Sequence, residues 1–205
     1  MPMSHPRFRT FHALRIKGFA KTETIAEVAD VHPDEAHEHL TELQAQELAT
    51  FREARGLWSL TPAGKEAHKV ELAKDVEATN AITHLAENYH HFLYLNERFK
   101  LLCGDWQLRD GQPNDHSDEA YDGAVVRRLV ELNAEAQPVV HGIGVAVPRF
   151  APYANRLEQT CRAVVGGDTK MFTGVMCGSY HDVWMELHED LILSQGIDRA
   201  AEGSF

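Results

Sequence analysis

The chain has 205 residues, of which 43% are hydrophobic and 25% charged, with a formal net charge of −11. That is a globular profile, long enough for one ordinary domain or two small ones. It excludes a membrane-spanning chain, because no apolar run approaches the roughly 18 residues a span requires.

Charge also bears on nucleic-acid binding. Up to about residue 78 there are 10 basic and 13 acidic residues, and beyond it 10 and 18. Neither part has the basic balance that supplies phosphate affinity, although a small local basic footprint remains compatible with it. The N-terminal MPMSHPRFRT has no apolar core, so no signal peptide is expected. Three cysteines, Cys103, Cys161 and Cys177, are far apart and odd in number. They suggest free thiols in a reducing cytoplasm rather than a disulfide frame or a CxxC zinc site.

The first predicted element is a helix over residues 8–19, with Phe8, Phe11, Leu14 and Ile16 on its apolar side and Gly18 at its end. Thr22 is expected to cap a second helix carrying Ile25, Val28 and Ala29 inward. After a break at Val31-His32, Pro33 suits the first turn of a third helix, buried through Ala36, Leu40 and Leu43. Two short helices joined by such a turn form a helix-turn-helix. Residues 49–52 and 57–60 then read as strands around a turn closed by Gly56, and Thr61-Pro62 opens the next helix.

Helix, helix-turn-helix, β-wing and the stretch LWSLTPAGKEAH together resemble the winged-helix domain of MarR-type bacterial regulators. The resemblance covers about residues 8–75, with W-S-L-T-P-A-G-K its most family-like part. It implies that exposed residues of the third helix enter the DNA major groove while basic residues of the wing meet phosphates. Carried onto this chain, the groove positions are His37, Glu38, Thr41 and Gln44, and the wing residues are Arg52 and Arg55. Arg7, Arg9, Lys17 and Lys21 are further candidates for the backbone. The third helix departs from the pattern. Asp34, Glu35, Glu38 and Glu42 would face phosphates, where Arg, Lys, Asn or Gln are the usual readers. Acids in the first turn help the helix itself, so a solvated acidic face accounts for them without DNA. His32, His37 and His39, if protonated, would offset three of the four acids.

Residues 62–103 contain few breakers and read as two consecutive helices, or one long bent one, dividing near Thr79-Asn80. Long helices after a winged helix often dimerise, and a two-fold dimer suits a palindromic operator. A Gly-, Asp- and Asn-rich loop is expected over 104–118. Further helices are expected over 119–137, 139–147, 151–165 and 178–196. The last has Ser179 as cap, with Asp182 completing a capping-box-like pair.

Two groups of residues are candidates for ligand binding: Trp106, Asn114, His116, Asp118 and Tyr121 around the loop, and His181, Trp184 and His188 on the last helix. A metal reading takes His181 and His188 with Asp118, His116 or Glu189. AVVGGDTKMF…H…ELH is faintly similar to the metal-holding helical domains of GntR-type regulators, but the spacing does not match. HxxxxxxH also places its imidazoles about 10 Å apart along the axis. Small-ligand pocket and plain structural roles stay open beside it. No metal and no cofactor is expected. Nucleophile elbow, P-loop and HExxH motifs are absent, so no enzymatic role is expected.

The fold expected is therefore mainly α: a winged helix-turn-helix with a two-stranded β-wing over residues 1–75, then an all-α domain over 76–205. The function expected is a cytoplasmic, homodimeric DNA-binding regulator sensing a small-molecule effector. The alternative is a winged-helix module or accessory subunit that binds a protein partner and not DNA.

Overall fold

The structure is a computed structural model and describes residues 3–197. It is mainly helical with a small antiparallel sheet. Helix α1 (Pro6–Lys17) starts on a proline, where the missing N–H costs nothing, and ends at Gly18 with φ 71°. Strand β1 (Phe19–Ala20), helices α2 (Thr22–Ala29) and α3 (Pro33–Ala45), and strands β2 (Ala49–Arg52) and β3 (Leu57–Leu60) follow.

The expected pair β2–β3 is present, with Phe51 opposite Trp58, and β1 joins it as a third strand in the order β1-β3-β2. Two residues are too short to leave an alternating pattern in the sequence. The cap of α2 also differs from expectation. Lys21 holds the cap position and Thr22 is already helical. The Thr22 hydroxyl instead accepts a hydrogen bond from Trp58 Nε1 at 3.0 Å, tying α2 to β3.

Helix α4 (Pro62–Thr79) is fixed by the TPAG stretch. Thr61 Oγ1 accepts from Gly64 N at 2.9 Å and donates to Glu47 O at 2.8 Å. Gly64 lies so close to the preceding chain that an added Cβ would stand 1.9 Å from Leu48 O. Asn80, in the left-handed region at φ 51°, separates α4 from α5 (Ala81–Gln107).

Helix α5 runs four residues into the expected loop. Trp106 and Leu102 are buried and hold this turn helical despite Gly104-Asp105. The rest of that segment begins with a hairpin, β4 (Leu108–Arg109) and β5 (Gln112–Pro113). Its turn residues Asp110 and Gly111 both have positive φ, 52° and 75°, which suits the twist of a two-residue hairpin. Helix α6 (Glu119–Ala146) is continuous through Pro138, so the two helices expected over 119–147 are one. Helices α7 (Ala151–Val165), α8 (Lys170–Thr173) and α9 (Tyr180–Gln195) complete the described chain.

Ser179 caps α9 as expected, its Oγ accepting from Asp182 N at 3.1 Å. Asp182 does not return a capping-box bond. Its carboxylate accepts from Cys177 N and Gly178 N, both at 2.9 Å, and anchors the loop ahead of the helix.

Apolar burial falls into two clusters. One joins Phe11, Leu14, Ile25, Leu40, Leu43 and Trp58 of the N-terminal elements. The other is larger and runs through α5, α6, α7 and α9. Between the two parts polar pairs meet, among them His12 with Asp190 and Lys17 with Glu186.

Candidate functional site

Lys21, His37, Thr41, Gln44, Arg52 and Arg55 are all exposed: Lys21 at the cap of α2, His37, Thr41 and Gln44 on the outer side of α3, and Arg52 and Arg55 along the β2–β3 hairpin. Arg52 lies over the exposed Phe19 ring at 5.2 Å. Thr41 Oγ1 donates back along the helix to His37 O at 2.8 Å. Other basic side chains nearby are engaged internally. Arg7 pairs with Glu42 at 3.3 Å and donates to Gln46, and Arg9 pairs with Asp30 at 3.5 Å.

His39 does not offset the acids of α3. Its ring turns inward, with Nδ1 3.0 Å from Thr10 Oγ1. Burial pushes its pKa below the usual histidine value, against the opposing pull of Glu35 and Glu42. The Thr10 hydroxyl is itself spent on Pro6 O at 3.2 Å, so it accepts a hydrogen bond from His39 Nδ1–H.

The loop candidates close on one another. Trp106 is buried, its ring tilted against His116 at 4.5 Å and Phe172 at 4.9 Å. Asn114 Nδ2 donates to Trp106 O and to Asp122 Oδ1, and His116 Nδ1 lies 2.9 Å from Asp122 Oδ2. Asp118 caps α6 by accepting from Ala120 N and Tyr121 N, and it pairs with Arg109 at 2.9 Å. These backbone bonds, chiefly the one from Tyr121, hold its carboxyl below the usual range. Tyr121 donates to Asp105 O at 2.8 Å.

The α9 candidates divide between two environments. Trp184 and His188 are core residues. Trp184 Nε1 donates to buried Asn96 at 2.9 Å, and the His188 ring lies 5.2 Å from Phe92. His181 is half-buried and lines a cleft, its pKa lowered mainly by burial.

That cleft, of about 890 Å³, lies between the N-terminal elements and α7–α9. Its N-terminal wall includes Ile16, Lys17, Thr24 and Val28, and its other wall Met171, Met185 and the loop Val175–Gly178. Inside it one carboxylate serves two cations. Glu186 Oε1 lies 2.5 Å from Lys17 Nζ and Oε2 2.6 Å from Arg156. All three side chains are largely buried. At the mouth, Val175 and Met176 are 75% and 82% exposed, and Met176 takes a positive φ of 58°, rare for a side-chain-bearing residue.

Beside the cleft the two apolar clusters meet across a buried polar chain that sequence reading missed. His68 Nε2 of α4 lies 2.9 Å from His12 Nδ1 of α1. His12 Nε2 lies 2.9 Å from Asp190 Oδ1 of α9, off the line of an ideal hydrogen bond. Arg149 lies 3.5 Å from Asp190 and 3.2 Å from Asp75, and it also donates to Ser194. Tyr153 donates to Asp190 Oδ2 at 3.3 Å. Burial alone would raise the Asp190 carboxyl. The close approach of His12 and Arg149, with a hydrogen bond from Ser194, overcomes it and holds it at about 2. Burial, then the neighbouring His12 and Arg15, push His68 down to about 2. No spacing rule points to these residues, which come from helices far apart in sequence.

Among the described residues, no group of three or more His, Cys, Asp or Glu side chains is placed to hold a metal ion. No described helix is long and apolar enough to cross a membrane. Comparison with protein-family models, with curated proteins and with solved structures finds no match for the chain.

Proposed function

We propose that the chain is a winged-helix transcriptional regulator. In this reading α2 and α3 form the helix-turn-helix, β2–β3 the wing, and the helices from α5 onward a body that dimerises and holds an effector. The observation that carries it is the exposure of α3 beside a hairpin bearing Arg52 and Arg55, with no other part of the described chain covering that face. His37, Thr41 and Gln44 then face the major groove, and Lys21, Arg52 and Arg55 the phosphates. The cleft against α1 and α2 supports effector control. A ligand there touches both parts and shifts the population of their relative arrangements by its differential affinity for them. The three free thiols fit a reducing cytoplasm.

The test compares the full chain with its Arg52→Ala/Arg55→Ala variant on the DNA upstream of its own gene. The reading expects loss of binding with the fold retained, and equal binding by both proteins overturns it.

A second reading, a winged-helix module that engages a protein, is favoured by one specific observation. Arg7 and Arg9 are taken up by Glu42 and Asp30, leaving Glu35 and Glu38 on α3 with no cationic partner among the described residues. Such a face suits a basic protein partner. Co-purification of a stoichiometric partner that α3 charge reversal at Glu38 releases would favour it over DNA.

A further inference from the structure

We infer that the cleft between the N-terminal elements and α7–α9 binds a small amphipathic anion, with its head group on Lys17 and Arg156. This deepens the effector reading above and rests on the cleft being a ligand site.

The argument starts from hydrogen-bonding capacity. Glu186 is buried and each of its oxygens already accepts a charge-assisted bond, one from Lys17 and one from Arg156. Lys carries three donors and Arg five, and neither accepts. The triad therefore has donors to spare and a net charge of +1 in a largely desolvated place. One further anionic oxygen group would neutralise it.

The other acidic and basic groups that line the cleft are Lys21, Glu27, His181, Asp182 and Glu189. Asp182 holds the backbone of Cys177 and Gly178. Glu189 is paired with Arg15 at 3.1 Å. Lys21 and Glu27 are exposed, one of each sign. Thr160 donates to backbone carbonyls and so offers a ligand no free proton.

Beside the polar Thr24, Gln159 and His181, the lining offers an apolar and adaptable part: Ile16, Val28, Met171, Met185, Val175 and Met176. Methionine-rich walls accommodate an aliphatic body without demanding one shape. A volume of about 890 Å³ falls in the range of small-molecule sites. The pattern is one anionic head and one flexible apolar body, the chemistry of a medium-chain carboxylate.

The experiment titrates the full chain calorimetrically with octanoate, octylammonium and octanol, which share a body and differ in head charge. Octanoate is expected to bind one per chain, at least about tenfold tighter than the other two. Lys17→Gln is expected to weaken octanoate on the order of ten- to a hundredfold, and Lys17→Arg to keep most of the affinity. Because Lys17→Gln disturbs a buried pair, Met185→Trp serves as a second variant, filling the cleft from α9 and abolishing binding. Octanoate is also expected to slow modification of Cys177, which lines the cleft, by a thiol reagent. Equal binding of all three amphiphiles, with Cys177 protected, would leave a ligand site but overturn the anion assignment. No binding by any of them and no protection of Cys177 would overturn the cleft reading itself.

Discussion

His12 Nδ1 of α1 and His68 Nε2 of α4 lie 2.9 Å apart, with ring centroids at 5.1 Å, in a site closed by Phe8 and Phe11. Asp190 lies on the other side of His12, with Arg149 and Tyr153 beyond it, so α1, α4, α7, α9 and the segment between α6 and α7 meet at one buried polar chain. This contact holds the N-terminal elements to the helical body, and charge placed there acts on both.

Stability is expected to fall with acid because of His68. Its folded pKa, about 2, lies below the unfolded value near 6.5. The unfolded chain therefore takes up a proton first as pH drops below 6.5, and stability present above that value is lost. The loss is about 2 kcal/mol between pH 6.5 and 5. Asp190, with its folded pKa held near 2, acts only at lower pH, below the unfolded carboxylate value. Urea unfolding of wild type and His68→Phe across pH 5–8 checks this. The variant should lose this part of the slope, and an unchanged slope would refute the assignment.

Arg149→Leu should destabilise by roughly 3–5 kcal/mol, because it removes the cation paired with the largely buried Asp75 and one of those facing buried Asp190. Arg149→Lys should recover only part of this, since one ammonium cannot reach three acceptors as a planar guanidinium does. Thermal unfolding of the two variants, at one pH and salt, reads the order.

Gly64→Ala should also destabilise, although alanine is the better helix former by about 1 kcal/mol. The new Cβ would meet the Leu48 carbonyl at 1.9 Å, and a backbone atom cannot rotate away. Overpacking of this kind typically costs about 1–3 kcal/mol, so the clash wins. A lower urea midpoint with an unchanged slope is expected; a higher midpoint would contradict the close approach.

Native thiol titration should show one fast cysteine. Cys177 is half-exposed, whereas Cys103 and Cys161 are buried, their thiols pushed up by burial to about 12 and about 11. Because the thiolate is the reacting species, both should be silent until the chain unfolds. Cys177→Ser should remove the fast phase.

What was legible in the sequence was what local rules decide. Pro33, Gly56, Thr61-Pro62 and Asn80 mark boundaries through backbone conformation and caps, and the structure places element ends there. The N-terminal elements and the last helix were readable for that reason. Where tertiary contact overrides local preference, the sequence misled. Trp58 takes the hydroxyl of Thr22 from its expected capping role, and the burial of Trp106 carries α5 through Gly104. The hairpin at Asp110-Gly111 was legible in principle, because Asp-Gly is a strong two-residue turn signal. The junction was not: Glu186 and Asp190 look like ordinary helical acids until α9 is seen packed on α1.

The most direct test of the regulator reading is the salt dependence of binding to the upstream DNA by fluorescence anisotropy, from about 50 to 200 mM salt, over pH 6 to 8. The reading predicts binding at the low end that weakens steeply as salt rises, with the slope reduced when Arg52 and Arg55 are replaced by alanine. No binding at the lowest salt at any of these pH values would contradict it.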